Sequence, residues 1–320
     1  MGPKLVMGSP RNAFGRALVE AGERREDLVV LTADVADATR TKWFAERFPN
    51  RFINVGISEQ AMIGMSAGLS AVGFLPLASA FAMFLMRAWE QVRNMVCRAH
   101  VNVKIVGTHA GFADAGDGSS HQALEDVALM RTLPCMTVVV PADPIEVAKA
   151  THAIIDYPTP VYMRIGRDYG PPVYDDPDYD FVIGKAVWLR DGDDYAIIGN
   201  GPLLWDALQA AKMLKREGIS VAVINMHTVK PLDTALLDKV INKFKGIITI
   251  EEHGVRGGLG SAIAEYVVQN PPEIPVPIKI MGAKSYGRSA RDVRDLIKAQ
   301  GLDSTSIVNT IKRLESRVRK

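Results

Sequence analysis

Short apolar runs alternate with amphipathic stretches along almost the whole chain. Phe14, Leu18 and Ala21 recur at helical spacing within residues 11–21, and LVVLT at 28–32 follows as a buried strand. A short amphipathic helix is predicted over 41–48, and strands over 52–55, 103–108, 136–140 and 160–165. Helices are predicted over 84–100, 124–133 and 144–156, the last opened by Asp143 as its N-cap. Strand and helix in alternation imply crossover connections and a mainly parallel sheet. The stretch GPPVYDDPDYD at 170–180 breaks this pattern with proline and acid and little apolar periodicity. Beyond it, residues 185–189 and 195–198 flank an RDGDD turn, which predicts a hairpin and one antiparallel strand. Helices over 203–217, 234–244 and 259–269 then alternate with strands over 221–225, 247–251 and 276–281. The expectation is an α/β chain of two three-layer domains: a mainly parallel sheet over residues 1–170, a linker over 171–184 and a smaller mixed sheet over 185–320. A length of 320 residues fits two domains of roughly 150 each.

One acid stands at the mouth of the longest uncharged stretch. After Glu59 the next 27 residues carry no charge until Arg87. Gly56 permits a sharp turn after the 52–55 strand, Ser58 is a natural N-cap, and Glu59 falls in the first turn of the helix that follows. A carboxylate there is favoured by the helix dipole in any protein. Its place at a strand-to-helix junction, where open α/β sheets put their ligands, and the pair Phe81 and Phe84 downstream point to an acid beside an aromatic wall. Residues 62–86 are long enough on paper to cross a bilayer, but Gly73 and Pro76 break them and Gly, Ala and Ser dominate. A helix, a turn and a buried strand fit better, and the small residues of 62–71 suit close packing against another helix.

Composition narrows the class. With 38 basic and 36 acidic residues interspersed, the net charge is +2, which gives no concentrated basic patch for nucleic acid. Cys97 and Cys135 lack CxxC spacing and a histidine cluster, so buried free thiols are expected, with neither a zinc site nor a disulfide. No signal peptide opens the chain, and a cytoplasmic location without membrane contact is the expectation.

A second concentration of chemistry is the loop HAGFADAGDGSSH at 109–121. Only 6 histidines occur in the chain, yet His109 and His121 bracket this loop with Asp117 between them. Such groups exchange protons and hydrogen bonds near neutral pH. The GDG at 116–118 has the start of a metal–diphosphate motif but no asparagine to complete it, since none occurs between Asn102 and Asn200. No metal ligand set is therefore assigned. The sequence GVRGGLG from Gly254 fails the GxGxxG spacing and reads as a tight turn.

Five stretches in order, SPRNAF, TADV, GISEQAM, THAGFADAGDGSSHQALED and YMRIGR, resemble the C-terminal half of the transketolase family: a pyrimidine-binding domain followed by a transketolase C-terminal domain. The resemblance covers nearly the whole chain. It implies a thiamine-diphosphate enzyme that moves a two-carbon ketol unit between sugar phosphates in the pentose phosphate pathway. Glu59 looks like the glutamate that hydrogen-bonds N1′ of the cofactor's aminopyrimidine and promotes the tautomer that deprotonates C2. That role asks for a desolvated carboxyl. By the same resemblance Phe81 and Phe84 line the pyrimidine pocket and Asp34 lies near the cofactor. His109 and His121 assist proton transfer and orient the sugar, and Asp117 contacts a substrate hydroxyl. Arg11 and Arg167 bind the terminal phosphate, while the role of Arg164 is open.

Two positions depart from the family pattern. Arg87 replaces the usual third aromatic, and Ala38 stands where a phosphate-binding serine is common, with Thr39 beside it as a replacement hydroxyl. With no asparagine to complete the GDG here, the resemblance implies a separate N-terminal subunit that ligates Mg²⁺ (or Ca²⁺) on the diphosphate, and a homodimer contact completing a heterotetramer. Two alternatives keep the cofactor: a 1-deoxyxylulose-phosphate synthase-like enzyme and a 2-oxoacid dehydrogenase β-subunit. A third is a non-catalytic regulatory subunit.

Overall fold

A computed structural model of the chain describes residues 8–167, 170–174, 176 and 178–318. The first six strands are β1 (Leu28–Thr32), β2 (Phe52–Asn54), β3 (Leu75–Phe81), β4 (Lys104–Thr108), β5 (Thr137–Val139) and β6 (Val161–Arg164). The remainder are β7 (Val187–Arg190), β8 (Tyr195–Gly199), β9 (Val221–Asn225), β10 (Thr228–Lys230), β11 (Gly246–Gly254) and β12 (Ile278–Ala283). They form two sheets, one of seven strands ordered β10-β5-β6-β4-β3-β1-β2 and one of five ordered β12-β11-β8-β9-β7. The expected pair of α/β sheets, mainly parallel and then mixed, is what the chain forms.

In the first sheet every pairing among β1 to β6 is parallel, and only the edge strand β10 runs antiparallel, against β5. The strands β1, β4 and β6 are buried at every position, as expected of a sheet covered by helices on both faces. One face packs Phe14 and Leu18 of the helix Pro10–Arg24 and Val147 and Ile154 of the helix Pro144–Asp156. Both helices carry proline at their start and a side-chain cap, from Ser9 to the Asn12 N–H and from Asp143 to the Glu146 N–H. The opposite face continues into the second sheet, since Met62, Ile63 and Val138 share one core with Ile224, Val229, Leu237 and Ile247.

Three expectations fail here. The 185–198 segment is no hairpin: β7 pairs antiparallel with β9, and β8 lies between β9 and β11 in parallel. The RDGDD turn is instead tied down by Asp194, which accepts from Ser220 N at 2.8 Å and from Lys245 Nζ at 2.6 Å. The predicted 84–100 helix breaks into an α-turn at Ala82–Leu85, a 3₁₀ turn at Met86–Ala88 and a π-helix at Val92–Cys97. Cys97 and Cys135 are joined as a disulfide with Cα atoms 5.6 Å apart, a usual separation for such a bond. Sequence spacing excludes a shared motif but carries no information on distance in space. The strand β10 has no counterpart in the sequence pattern, because three residues give no readable period.

The acidic, proline-rich stretch after residue 170 is strapped to the first sheet's helices. Val173 and Tyr174 donate backbone N–H groups to Asp143 Oδ2 at 2.8 and 3.0 Å. No described helix is long and apolar enough to cross a membrane.

Candidate active site

Parallel pairing sets the C-terminal ends of β2, β1, β3, β4 and β6 along one edge of the first sheet. Thr32 is in register with both Asn54 and Ser79, Phe81 with Thr108, and Gly107 with Arg164. Ligands of open α/β sheets bind at such an edge.

Glu59 is held there by a hydrogen-bonded turn. Asp34 sits in the left-handed region at φ 60, where its N–H donates to Asn54 Oδ1 at 3.0 Å and its Oδ1 accepts from Asn54 Nδ2 at 3.2 Å. The same Asn54 Oδ1 accepts from Gly56 N at 3.1 Å, and Gly56 takes φ 75. Asn54 therefore stitches the end of β1 to the turn three residues before Glu59. Ser58 precedes the helix Glu59–Ala71 but makes no side-chain capping bond, contrary to expectation. Glu59 is 8 % exposed and has no hydrogen-bond donor to its carboxylate among the described residues. A nearly buried acid without a partner at a ligand-binding edge is an open acceptor.

Beside it stands a wall of rings. Phe84 and Phe81 stack with centroids 5.0 Å apart and planes 7° from parallel, and Phe81 in turn stacks on His109 at 3.6 Å and 21°. His121, from the 3₁₀ turn Ser119–His121, meets the edge of Phe84 at 5.8 Å. The sequence-predicted Phe81, Phe84, His109 and His121 are thus one contiguous surface, while Arg87 points to solvent.

The hydrogen bonds of His109 fix its protonation. It takes φ 55, and Arg11 Nη1, which is only a donor, lies 3.4 Å from its Nε2. Nε2 must accept, so Nδ1 carries the proton and donates to Thr108 Oγ1 at 2.8 Å; that hydroxyl donates on to Ala80 O at 3.4 Å. Burial, reinforced by Arg11 and Arg167, pushes the imidazole down to about 3. His109 is therefore a neutral acceptor in this arrangement, not the proton shuttle expected near neutrality. The accessible histidine is His121, half-buried with Ser120 Oγ 3.1 Å from its Nδ1.

Cationic groups surround this imidazole. Arg11 also donates from Nε to Arg167 O at 3.0 Å and from Nη1 to Ala38 O at 2.7 Å. Arg167 pairs with Asp114, a buried residue that sequence reasoning passes over in favour of Asp117. Burial raises the Asp114 carboxyl, and Arg167 partly offsets that rise. Asp117 itself is exposed, at the outer turn of the loop. The hydroxyl expected from Thr39 is not offered: Thr39 is wholly buried and its Oγ1 donates to Val35 O at 2.9 Å.

The second domain props the loop. Glu252 of β11 accepts from Phe112 N at 3.2 Å, and a Cβ on Gly111, which has φ 65, would meet the Glu252 carboxyl at 2.6 Å. Burial raises Glu252 to about 7, against the opposing pull of Arg164. Arg164 belongs to this support and not to the pocket: its Nε donates to Asp126 at 2.9 and 3.1 Å and its Nη2 to the carbonyls of Ala123 and Glu252 at 3.0 Å. Gly118 packs on Ser289, so the GDG turn lies against the second domain. The glycine loop after β11 is also occupied, since Glu251 accepts from Leu259 N and Gly260 N at 2.8 and 2.9 Å. Among the described residues no cluster of three His, Cys, Asp or Glu is placed to hold a metal ion.

Residues 9–172 match the transketolase pyrimidine-binding domain and residues 184–307 the transketolase C-terminal domain. The chain is 41% identical over 304 residues to the "Putative transketolase C-terminal section" of Methanocaldococcus jannaschii, covering 94% of each. It is 36% identical to an apulose-4-phosphate transketolase subunit of Phocaeicola vulgatus, covering 94% of this chain and 95% of the relative. A solved split-gene transketolase, described as an inactive β4 tetramer, superposes with a TM-score of 0.86 at 41% identity, covering 96% of this chain and 97% of that one.

Proposed function

The chain belongs to the transketolase family, and from that premise we propose that it is the C-terminal subunit of a split, thiamine-diphosphate-dependent transketolase, which transfers a two-carbon ketol unit from a ketose phosphate to an aldose phosphate. The observation that carries this reading is the nearly buried Glu59, without a partner among the described residues, on the same sheet edge as the Phe84–Phe81–His109 stack. An acceptor without a donor and a flat apolar wall fit an aminopyrimidine, a planar heterocycle with polar nitrogens. When bound, the cofactor supplies a carbanion-stabilising carbon that the twenty side chains lack.

The residues of this chain do the rest. Glu59 shares a proton with a pyrimidine ring nitrogen, donating it and accepting it back, Phe81 and Phe84 exclude water from one face, and Asp34, through Asn54, fixes the turn that aims Glu59. His109 and His121 orient donor oxygens, with His121 the group reached by solvent and able to move a proton, and Asp117 contacts a sugar hydroxyl. Arg11 and Arg167 hold the distal phosphate, stiffened by Ala38 O and Asp114. The divalent cation and the diphosphate are assigned to an N-terminal partner subunit. Residues 1–170 carry the pyrimidine-binding part, 171–184 the linker and 185–320 the C-terminal domain, in a cytoplasmic heterotetramer. The face of Glu59–Ala71 turned to solvent, with Met65 45% exposed and Gly64 and Gly68 beside it, suits the close contact that assembly requires.

The test is reconstitution. With an N-terminal subunit, Mg²⁺ and thiamine diphosphate, the chain is expected to convert xylulose 5-phosphate and ribose 5-phosphate, and Glu59→Gln in the same complex to lose this. Full turnover by the chain alone refutes the split-enzyme reading, and condensation of pyruvate in place of ketol transfer moves the assignment to 1-deoxyxylulose-phosphate synthase-like chemistry.

A further inference from the structure

Building on the ketol-transfer reading, we propose that Arg40 is a specificity-determining residue of the distal anion subsite, standing in for the absent hydroxyl at Ala38 and selecting substrates that end in a dianionic phosphate group. The turn over residues 36–40 offers no hydroxyl to a ligand. Ala38 has none, and the two threonines that follow it are buried, with their Oγ1 atoms 2.9 Å apart and turned onto Val35 O and Ala36 O.

The same turn does present a guanidinium. Arg40 takes φ 66, and its Nε donates to Asn12 Oδ1 at 2.9 Å, the side chain next in sequence to Arg11. Arg11 meets this turn at Ala38 O, 2.7 Å away, so two guanidinia converge on one short segment. The close approach is built in: a Cβ on Gly15 would lie 2.7 Å from Arg40 Cβ. Arg40 is also, after Arg11 and Arg167, one of the cations that disfavour a charged His109.

Its present counter-ion is weak. The Asp37 carboxylate is 3.7 Å away with a side chain 79% exposed, and such pairs contribute only about 0–1 kcal/mol, while Nη1 also donates to Asp37 O at 2.5 Å and the guanidinium lies over Trp43 at 5.9 Å. A phosphate dianion replaces that exposed carboxylate with stronger charge-assisted acceptors at the Nη groups, while the bonds to Asn12 and Asp37 O keep the side chain in place. An uncharged sugar terminus offers no such exchange, which is where selectivity arises.

Two measurements test this. In the reconstituted complex, Arg40→Gln is expected to raise the ratio of KM for a phosphorylated sugar to KM for its unphosphorylated counterpart about tenfold, with Arg40→Lys recovering part of the loss. In parallel, inorganic phosphate is titrated into the wild-type and Arg40→Gln complexes and followed through the His109 and His121 imidazole signals, with about tenfold weaker binding expected in the variant. An unchanged ratio together with unchanged phosphate affinity overturns the role of Arg40. Weaker phosphate binding in a complex that transfers no ketol unit supports the anion subsite and removes the transketolase reading instead.

Discussion

Phe81 and His109 stack 3.6 Å apart while Arg11 approaches the imidazole at 3.4 Å, so one ring face is apolar and the acceptor edge faces a permanent cation. Burial of the ring and the Arg11 cation both disfavour the imidazolium. With its pKa lowered from 6.5 to about 3, His109 contributes stability that is fully present above pH 6.5 and is lost as pH falls through about 3. Nitrogen-15 spectra are expected to show a neutral imidazole with the proton on Nδ1 at pH 5. Arg11→Met should raise its pKa yet leave it below 6.5, because burial is the larger cause. A His109 that titrates near 6.5 in the wild-type chain contradicts the network.

Asp126 and Arg164 form a buried pair, 0% and 3% exposed in their side chains, and Tyr162 donates to the same carboxylate at 2.7 Å. Removing the acid alone strands a guanidinium and a phenol in the interior. Asp126→Ala is expected to cost about 3–5 kcal/mol of unfolding free energy in urea titrations, with loss of the Arg164 bridge to the Glu252 carbonyl. A cost under about 1 kcal/mol would mean that water replaces the carboxylate.

Much of this site can be read from the chain because the sheet is regular. Period and breaker residues locate β1, β3, β4 and β6, and once the strands are parallel, Asp34, Glu59, Phe81, His109 and Arg167 must share an edge. What escapes depends on distance in space. The choice of Asp114 over Asp117 as the partner of Arg167 turns on which way a loop of alternating small residues folds, and Gly111 and Gly118 fold it against the second domain. Thr39 and Arg40 are adjacent in sequence, yet with a left-handed residue at 40 one is wholly buried and the other is half-buried and bonded to Asn12. Cys97 and Cys135 meet because a π-helix and the turn before β5 converge across 38 residues. No local pattern encodes that convergence.

Glu146 joins three segments. It accepts from Ala142 N at 2.5 Å, from Tyr174 and Tyr179 hydroxyls at 3.0 and 2.9 Å, and from Asn225 Nδ2 of the second sheet at 2.8 Å. Burial still raises it from 4.5 to about 7, against the pull of these donors. An acid raised in the folded state holds its proton longer there than when unfolded, so stability falls as pH rises from 4.5 through about 7 and is level above. Denaturation at pH 5 and pH 8 is expected to show a larger loss for wild type than for Glu146→Gln, by up to about 3 kcal/mol. Equal losses in the two proteins would mean that the carboxylate titrates in the ordinary range.

Asn54 offers the most direct test of how the Glu59 turn is held. Its Oδ1 accepts from both Asp34 N and Gly56 N, and its Nδ2 returns a bond to Asp34, so one exposed amide satisfies two backbone donors at the ends of adjacent strands. Asn54→Ala removes all three bonds without disturbing the core, because the residue is exposed at the end of β2. Local opening of the turn should then become easier by about 1–2 kcal/mol, the scale of one or two lost hydrogen bonds, and global unfolding should shift less than that. Amide exchange at Asp34 and Gly56 is the reporter. It is expected to accelerate roughly tenfold while amides in the middle of β1 and β3 keep their wild-type rates, since each 1.4 kcal/mol is a factor of ten in the opening equilibrium. Uniform acceleration across β1 and β3 would make Asn54 a determinant of the whole sheet. Unchanged rates at Asp34 and Gly56 would show that the backbone of this turn is fixed by packing alone.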